Sequence, residues 1–311
     1  MPPQGRTKGP KLKPSDAENL HGTETGRATL SHTRLSSFLN CPRRWQLSYE
    51  ERLELRVTKE PLLYGRAFQH GLEENDPNAA YDLVMKDSTF VSQEDYDKLL
   101  IRATVVKAAA KAYLKRWPAP AGEQREFPYR VRLRNPWTGY YSRTFDLLGY
   151  ADGVRVQGNE IELIENKFVS QITDVSVRRL PLDRQLALAC YGLWRATGLP
   201  VSRVTYRFTR KPSIQQRKSE TADQYRERLR EDYEQRGADF YTHEEVLYRT
   251  SEDLLRVECE LWEWGQQILA AQHKNFAPRN SSHCADFGGC DFIPICVGEP
   301  DAHDLYVRRD P

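Results

Sequence analysis

No run in this sequence approaches the roughly 18 consecutive apolar residues that a membrane-spanning helix requires, which argues against a membrane protein. An excess of charge of one sign is also missing. The 46 lysines and arginines nearly balance 44 aspartates and glutamates, leaving +2, so net charge gives no reason to expect a nucleic-acid partner and only local distribution can. No Gly-x-x-x-x-Gly-Lys-Ser/Thr loop is present, so the chain does not drive unwinding with a nucleotide of its own. Internal repeats are absent, as is a linker-like stretch beyond the first 28 residues. The opening MPPQGRTKGPKLKP is basic yet has no apolar core of a secretory signal. That predicts a cytosolic chain whose six cysteines are reduced or metal-bound rather than paired in disulfides.

What is present is 39% hydrophobic and 29% charged residues, the balance of a soluble globular protein long enough to bury a sizeable core. Residues 1–28 are rich in Pro, Gly and Lys with almost nothing to bury, and predict a disordered basic tail. Order is predicted from residue 29 to 311 as one domain. Leu35, Phe38 and Leu39 form a helical stripe interrupted by Pro42, and LLYGRAFQHGLEE predicts a second helix. A long helix fits 92–117. The runs EFPYRVRLR, SRTFDLLGYADGVRVQ and EIELIENKF, joined by short turns, predict an antiparallel meander. LPLDRQLALACYGLWRATG then predicts an apolar helix, RVTYRFTR a strand, and the charged stretch 211–238 a lid-like segment. A strand end and a long helix follow over 244–272, and the cysteine-bearing tail NSSHCADFGGCDFIPIC looks loop-like. The order of elements predicts an α/β domain with an appended cysteine element.

One strand poses a burial problem. Along EIELIENKF, alternation puts Ile161, Leu163, Glu165 and Lys167 on one face and Glu162, Ile164, Asn166 and Phe168 on the other. Apolar residues on both faces predict a central strand covered on both sides. Glu165 and Lys167 are then costly unless paired. Asp152 lies across the Gly158-Asn159 turn and can be brought alongside. Two carboxylates at one point attract a hard cation, Mg²⁺ or Mn²⁺, and a neighbouring lysine can orient a water and offset charge developing on a phosphate. The residues also allow a plain Lys–Glu pair on a strand edge.

Cys284, Cys290 and Cys296 stand in C-x5-C-x5-C on a tail shaped by Gly288, Gly289 and Pro294, which suits a metal better than a core. The fourth ligand is open among His283, Cys41, Cys190 and Cys259, the last two being in apolar helical settings that suit core thiols. Arg43, Arg44, Arg52 and Arg66 around the His70 segment, and Arg178, Arg179 and Arg184 ahead of Gln185, are placed for phosphate contacts, while each alone also fits a solvated face. Trp45 and Trp137 could stack on bases or pack in the core.

GYAD followed by ELIENK resembles the G-x-x-D … E-x-K signature of the PD-(D/E)xK nucleases, in the RecB-like branch. LLYGRAFQHGLE is similar to that branch's upstream helix, YG-x-x-x-H-x-x-LE. The branch's later Q-x-x-x-Y helix is matched only at Gln185. Ala189 stands where its tyrosine would be, and Tyr191 is about 240° round the helix from Gln185, which suits the core. Ala151 replaces the usual proline. LSHTRLSSFLNCPRRWQLSY, with one early cysteine and three late ones, resembles the iron–sulfur subclass that includes AddB-type helicase–nucleases, CRISPR-associated RecB-like nucleases and phage-encoded relatives. Its C-terminal spacing departs from the tighter C-x2-C of many relatives.

The resemblance covers residues from about 30 to 296. It implies a restriction-endonuclease-like α/β core, a central mixed β-sheet flanked by helices. It implies that His70, Asp152, Glu165 and the backbone carbonyl of Asn166 hold Mg²⁺ or Mn²⁺, with Lys167 and Gln185 completing the catalytic set. It further implies that Cys41, Cys284, Cys290 and Cys296 hold a 4Fe–4S cluster, with zinc as the alternative, tying the N- and C-terminal segments together. Arg43, Arg44, Arg66 and Arg184 become DNA contacts. The implied activity is phosphodiester hydrolysis of DNA, single-stranded or with free ends, by an exonuclease of repair, recombination or phage DNA processing. Recombination or replication proteins are the implied partners, and a bacterial or phage-infected cytosol the setting. A non-catalytic iron–sulfur or zinc DNA-binding subunit and an RNA-processing nuclease are the rival readings.

Overall fold

The computed structural model describes residues 25–56, 60–86, 92–118, 122–286 and 289–309. Most of the basic tail expected over 1–28 lies outside the described residues. In chain order the elements are β1 (Ala28–Leu30), α1 (His32–Asn40), α2 (Pro42–Trp45), β2 (Leu53–Leu55), α3 (Glu60–Glu73), α4 (Pro77–Lys86), α5 (Gln93–Arg116), β3 (Gln124–Arg134), β4 (Tyr141–Gln157), β5 (Glu160–Val169), α6 (Asp174–Arg178), α7 (Arg184–Thr197), β6 (Val201–Arg210), α8 (Ala222–Tyr241), β7 (Thr242–Tyr248), α9 (Ser251–Lys274), α10 (Ile293–Val297) and β8 (Tyr306–Arg308). The described residues form two compact units, one within 60–128 and 150–250, the other within 25–56, 129–149 and 251–309. Two of the boundaries between them fall within strands, in β3 after Pro128 and in β4 after Gly149.

In the first unit β5 is central. Its hairpin with β4 turns at Gly158, whose φ of +62° is easily adopted only without a side chain. The antiparallel register runs from Gln157 opposite Glu160 to Gly153 opposite Ile164. On the other side β6 runs parallel to β5, pairing Glu165 with Tyr206 and Lys167 with Phe208, and β7 runs antiparallel to β6. The sheet is therefore mixed. Parallel neighbours need a crossover, and α7 supplies it. The Asp183 side chain caps its first turn by accepting from the Leu186 N–H, and Gly198 ends it in the left-handed conformation. Tyr191 is buried in its core-facing stripe, as its position predicts.

The opposite face of β5 is covered by α5, whose Tyr113 hydroxyl donates to Asn166 Oδ1 at 2.7 Å. Helices α3, α4 and α5 share an apolar core that includes Phe68, Leu72, Val84 and Val106. Both faces of β5 are thus covered, as its alternating pattern predicts. The segment expected to be lid-like instead contains α8, packed on α5. Tyr225, Leu229 and Tyr233 recur every four residues and are buried. The surrounding charges mask this narrow stripe in the sequence.

In the second unit β1 pairs in parallel with β4, Leu30 opposite Leu147. Asp146, fully buried, accepts from Arg27 Nε at 2.6 Å and Arg130 Nε at 3.0 Å, which compensates its charge. Helix α9 approaches closely at Gly265, where an added Cβ would lie 3.3 Å from a Leu133 methyl. The tail expected to be loop-like over 280–296 ends in α10, and beyond it β8 pairs antiparallel with β2. Leu47, Phe292 and Tyr306 form a small core beneath them. Among the described residues no helix is long and apolar enough to cross a membrane.

Candidate active site

Asp152 from β4, Glu165 and Lys167 from β5 and Gln185 from the first turn of α7 meet in the first unit. One step beyond the Gly153–Ile164 pair, the strands bring Asp152 beside the Glu165–Asn166 peptide. The Asn166 N–H donates to Asp152 Oδ2 at 2.8 Å. Glu165 Oε1 accepts from Lys167 Nζ at 2.8 Å and from Gln185 Nε2 at 2.6 Å. Lys167 Nζ also donates to Gln185 Oε1 at 2.7 Å, closing a triangle. Glu165 is 1% exposed, whereas a third of the Lys167 side chain remains accessible.

The electrostatics follow from burial. Asp152 is held well above the usual carboxylate range, first by burial and then by the Glu165 charge, with the Asn166 N–H and Lys167 acting against both. Glu165 is raised by burial in the same way, with Lys167 opposing and Asp183 adding to the rise. Burial works to lower Lys167, yet Glu165, Asp152 and Asp183 together keep its ammonium above the usual lysine range. Two buried carboxylates face one lysine, so ionising both leaves a negative surplus that a cation would offset.

A further carboxylate, Glu126 on β3, borders this group, and nothing in the sequence pattern identifies it. Gln69 Nε2 donates to Glu126 Oε1 at 2.8 Å, and the neighbouring Glu73 carboxylate acts on it from the same helix. Burial raises Glu126, and Glu73 and Glu165 raise it further against the Gln69 bond. Glu126 in turn raises Asp152. Helix α3 is therefore connected to the site through Gln69, Glu73 and Glu126.

His70, on the same helix, has Nδ1 3.8 Å from Glu73 Oε2. Its ring is 37% exposed. Among the described residues no three His, Cys, Asp or Glu side chains stand in a ready-made arrangement around a single ion. Glu165 is turned toward its lysine and glutamine, and Asn166 contacts Asp152 through its N–H. The side chain of Asn166 points to Tyr113 on the far face.

The arginines fall into different roles. Arg43 Nη1 donates to Gln46 and to Glu51 at 3.0 Å, so it braces its own turn. Arg44 lines the cysteine cavity. Arg66 is exposed on α3, Arg184 is half-buried at the start of α7, and Arg52, Arg178 and Arg179 are exposed. Arg43, Arg44 and Arg52 belong to the second unit and Arg66 to the first, so these four do not share one compact unit. Trp45 is buried against Phe38, while Trp137 is 64% exposed at the β3–β4 turn.

In the second unit, Cys41, Cys284, Cys290 and Cys296 line one cavity of about 470 Å³ together with Arg44, Arg279 and Asn280. The Asn280 N–H donates to Cys41 Sγ at 3.3 Å, and the Cys290 N–H to the Cys284 carbonyl at 2.8 Å. Burial raises the Cys296 thiol, with Cys290 and Cys41 adding to it and Arg43 and Arg279 opposing. His283 pairs with Asp286 at 2.7 Å instead. Cys190 is buried in the other unit and pushed up to about 12 by burial, as befits a core thiol, and Cys259 is half-buried on α9.

A family model described as the PD-(D/E)XK nuclease superfamily matches residues 29–297. No curated protein sequence matches the chain. Among solved structures, an inferred exonuclease from Eubacterium rectale is similar at a TM-score of 0.51 and 10% identity, covering 94% of each chain. An alkaline exonuclease from Laribacter hongkongensis aligns over 67% of this chain and 91% of its own, at 12% identity and a TM-score of 0.24, too distant to carry an argument.

Proposed function

The chain belongs to the PD-(D/E)XK nuclease superfamily, and from that premise we propose that it is a metal-dependent deoxyribonuclease whose catalytic group is Asp152, Glu165, Lys167 and Gln185. The observation that carries this reading is the closed triangle of Glu165, Lys167 and Gln185 beside the N–H-anchored Asp152. An unused ion pair would need neither the glutamine nor a second buried carboxylate. The surplus of buried negative charge and the hard oxygen donors suit Mg²⁺ or Mn²⁺, held by Asp152, Glu165, the Asn166 carbonyl and His70. When bound, such an ion polarises the phosphate and lowers the pKa of a water.

The chain's own residues supply the rest. Lys167, kept protonated by Glu165, orients the attacking water and faces the negative charge that develops on the phosphoryl oxygens. Gln185 contacts both Glu165 and Lys167 and fixes their separation. The Asn166 N–H fixes the orientation of the Asp152 carboxylate. The RecB-like resemblance and the inferred activity of the Eubacterium rectale protein favour an exonuclease acting on DNA ends in repair, recombination or phage DNA processing.

The cysteine cavity is read as the seat of a 4Fe–4S cluster with a structural role. The support for this reading is that all four cysteines line one cavity of about 470 Å³; the family resemblance favours a cluster over zinc.

The test of the nuclease reading is incubation of purified protein with end-labelled single- and double-stranded DNA and with RNA, in Mg²⁺, Mn²⁺ or EDTA. Asp152→Ala and Lys167→Ala should abolish cleavage with the melting transition retained. Full activity in either variant would overturn the assignment.

A further inference from the structure

A second polar depression lies at the carboxyl ends of the two parallel strands. Ser170, Gln171 and Ile172 after β5, Arg210, Lys211 and Ser213 from the end of β6, and Phe240 from α8 line a cavity of about 290 Å³. In sheets with parallel strands, ligands bind in the crevice outside the carboxyl ends. Val169 pairs with Arg210 in the same register that pairs Lys167 with Phe208. Arg210 is therefore two residues, about 7 Å at 3.3 Å per residue, further along the strand direction than Lys167. That is the scale of one or two steps along a nucleic-acid strand, roughly 3.4 Å each along the axis.

The chemistry of the lining is one-sided. None of the seven residues is acidic, and five of them carry hydrogen-bond donors in their side chains. The two cations rest on aromatic rings. The Arg210 guanidinium lies 3.7 Å over Phe240, and Lys211 Nζ lies 5.2 Å from the Phe168 ring and 5.8 Å from Tyr64. The Tyr233 hydroxyl donates to the Arg210 carbonyl, and the Lys211 N–H donates to the Val169 carbonyl, so the backbone carrying both cations is tied down. Arg210 Nε is buried and has no hydrogen-bond partner among the described residues. Burial alone holds Lys211 below the usual lysine range, the condition of a cation awaiting an anion.

We propose that Arg210 and Lys211, with the Ser170 and Ser213 hydroxyls, form a subsite for a backbone phosphate of the nucleic-acid strand, one or two nucleotides from the phosphate that is cut. The subsite positions the strand and takes no part in bond cleavage. This inference rests on the nuclease reading and deepens it by naming where the substrate is held. Positioned guanidinium and ammonium donors make charge-assisted bonds to phosphate, and a phosphate contact carries affinity without sequence preference.

The test measures binding apart from cleavage. In an Asp152→Asn background, Lys211→Gln and Arg210→Gln/Lys211→Gln are compared with the parent for a fluorescent single-stranded oligonucleotide across a salt series. The double variant should bind about tenfold or more weakly at low salt. Its log–log salt slope should be shallower by about 0.7, the value for one phosphate of a single strand. Lys211→Arg should restore most of the affinity. In the otherwise wild-type enzyme, Lys211→Gln should act mainly through KM. Variants that match the parent in affinity and slope at every salt concentration overturn the subsite while leaving the nuclease reading intact, provided the wild type cleaves. If the wild type neither binds nor cleaves nucleic acid, the nuclease reading falls and the subsite with it. Lys211→Gln alone, whose ammonium rests on ring faces near the surface, keeps the test interpretable if loss of Arg210 impairs folding.

Discussion

Gln185 holds Lys167 on its carbonyl oxygen at 2.7 Å while its amide donates to Glu165 at 2.6 Å, so one side chain fixes the spacing between the carboxylate and the ammonium of the site. The Asp183 cap sets the start of α7 and thereby places Gln185 in its first turn. Gln185→Ala should leave Glu165 and Lys167 in direct contact but free to shift. Cleavage should fall by about 10- to 100-fold, the usual loss when a supporting hydrogen-bond partner of a metal site is removed. Gln185→Glu should be worse, since it places a third carboxylate beside Glu165 and removes the amide donor. Initial rates at saturating metal check both, and a Gln185→Ala enzyme of full activity would show that the triangle is only structural.

Asp152 predicts an inverse relation between activity and stability. Its carboxyl is raised well above the usual range in the folded protein, chiefly by burial and by Glu165. A carboxyl raised on folding binds its proton more tightly in the native state. Native ionisation is therefore a cost that is full above the folded pKa and vanishes below the unfolded one. Asp152→Asn should abolish cleavage yet melt higher than wild type at neutral pH in EDTA, by about 2 to 4 °C for each kcal/mol relieved. The gain should shrink as pH falls through the carboxylate range. Added Mg²⁺ or Mn²⁺ should raise the wild-type transition and leave that of the variant nearly unmoved. Melting curves across pH, with and without metal, decide it.

Glu126 predicts a shift in the pH–rate profile. It raises Asp152 by its charge and is itself raised by burial and by Glu73. Glu126→Gln removes that charge and keeps an acceptor for Gln69. The Asp152 pKa should then drop, and the acid limb of kcat/KM should move to lower pH. A variant whose acid limb stays in place would separate Glu126 from the electrostatics of the site.

Much of this site is visible in the sequence because β5 obeys a strict alternation. Glu165 and Lys167 share a face, Asn166 takes the other, and the Gly158 turn places Asp152 opposite. Gln185 is visible through a partial motif, and its contacts to Lys167 and Glu165 make it more central than that motif suggests. Glu126 was not legible, because its approach depends on β3 pairing with β4 and on a backbone φ of +48° at a non-glycine residue, neither of which leaves a spacing in the sequence. The strands β1, β2 and β8 are three residues each, too short to show a period. Helix α8 was hidden for a different reason. Its buried face is built largely of tyrosines among charged residues, and a single buried leucine gives little apolar contrast.

The cysteines of the second unit predict a loss of stability that the other thiols do not share. Cys41 and the late cysteines line one cavity although they are about 240 residues apart, and a metal group held by both would close a loop worth several kcal/mol of unfolded-state entropy. Replacing Cys41 or Cys290 by Ser should cost the bound metal and lower the melting temperature by about 10 °C or more, at 2 to 4 °C per kcal/mol. Cys190→Ala should leave metal content unchanged, because its thiol sits in the α7 core of the other unit. Iron, acid-labile sulfide and zinc per chain, measured after anaerobic purification with the visible absorption spectrum, separate a cluster from a zinc ion. About four irons with a broad band near 400 nm support the cluster assignment. One zinc per chain with no visible band would replace the cluster by a zinc staple in the same place. A Cys41→Ser protein with unchanged metal content and melting temperature would remove the staple altogether.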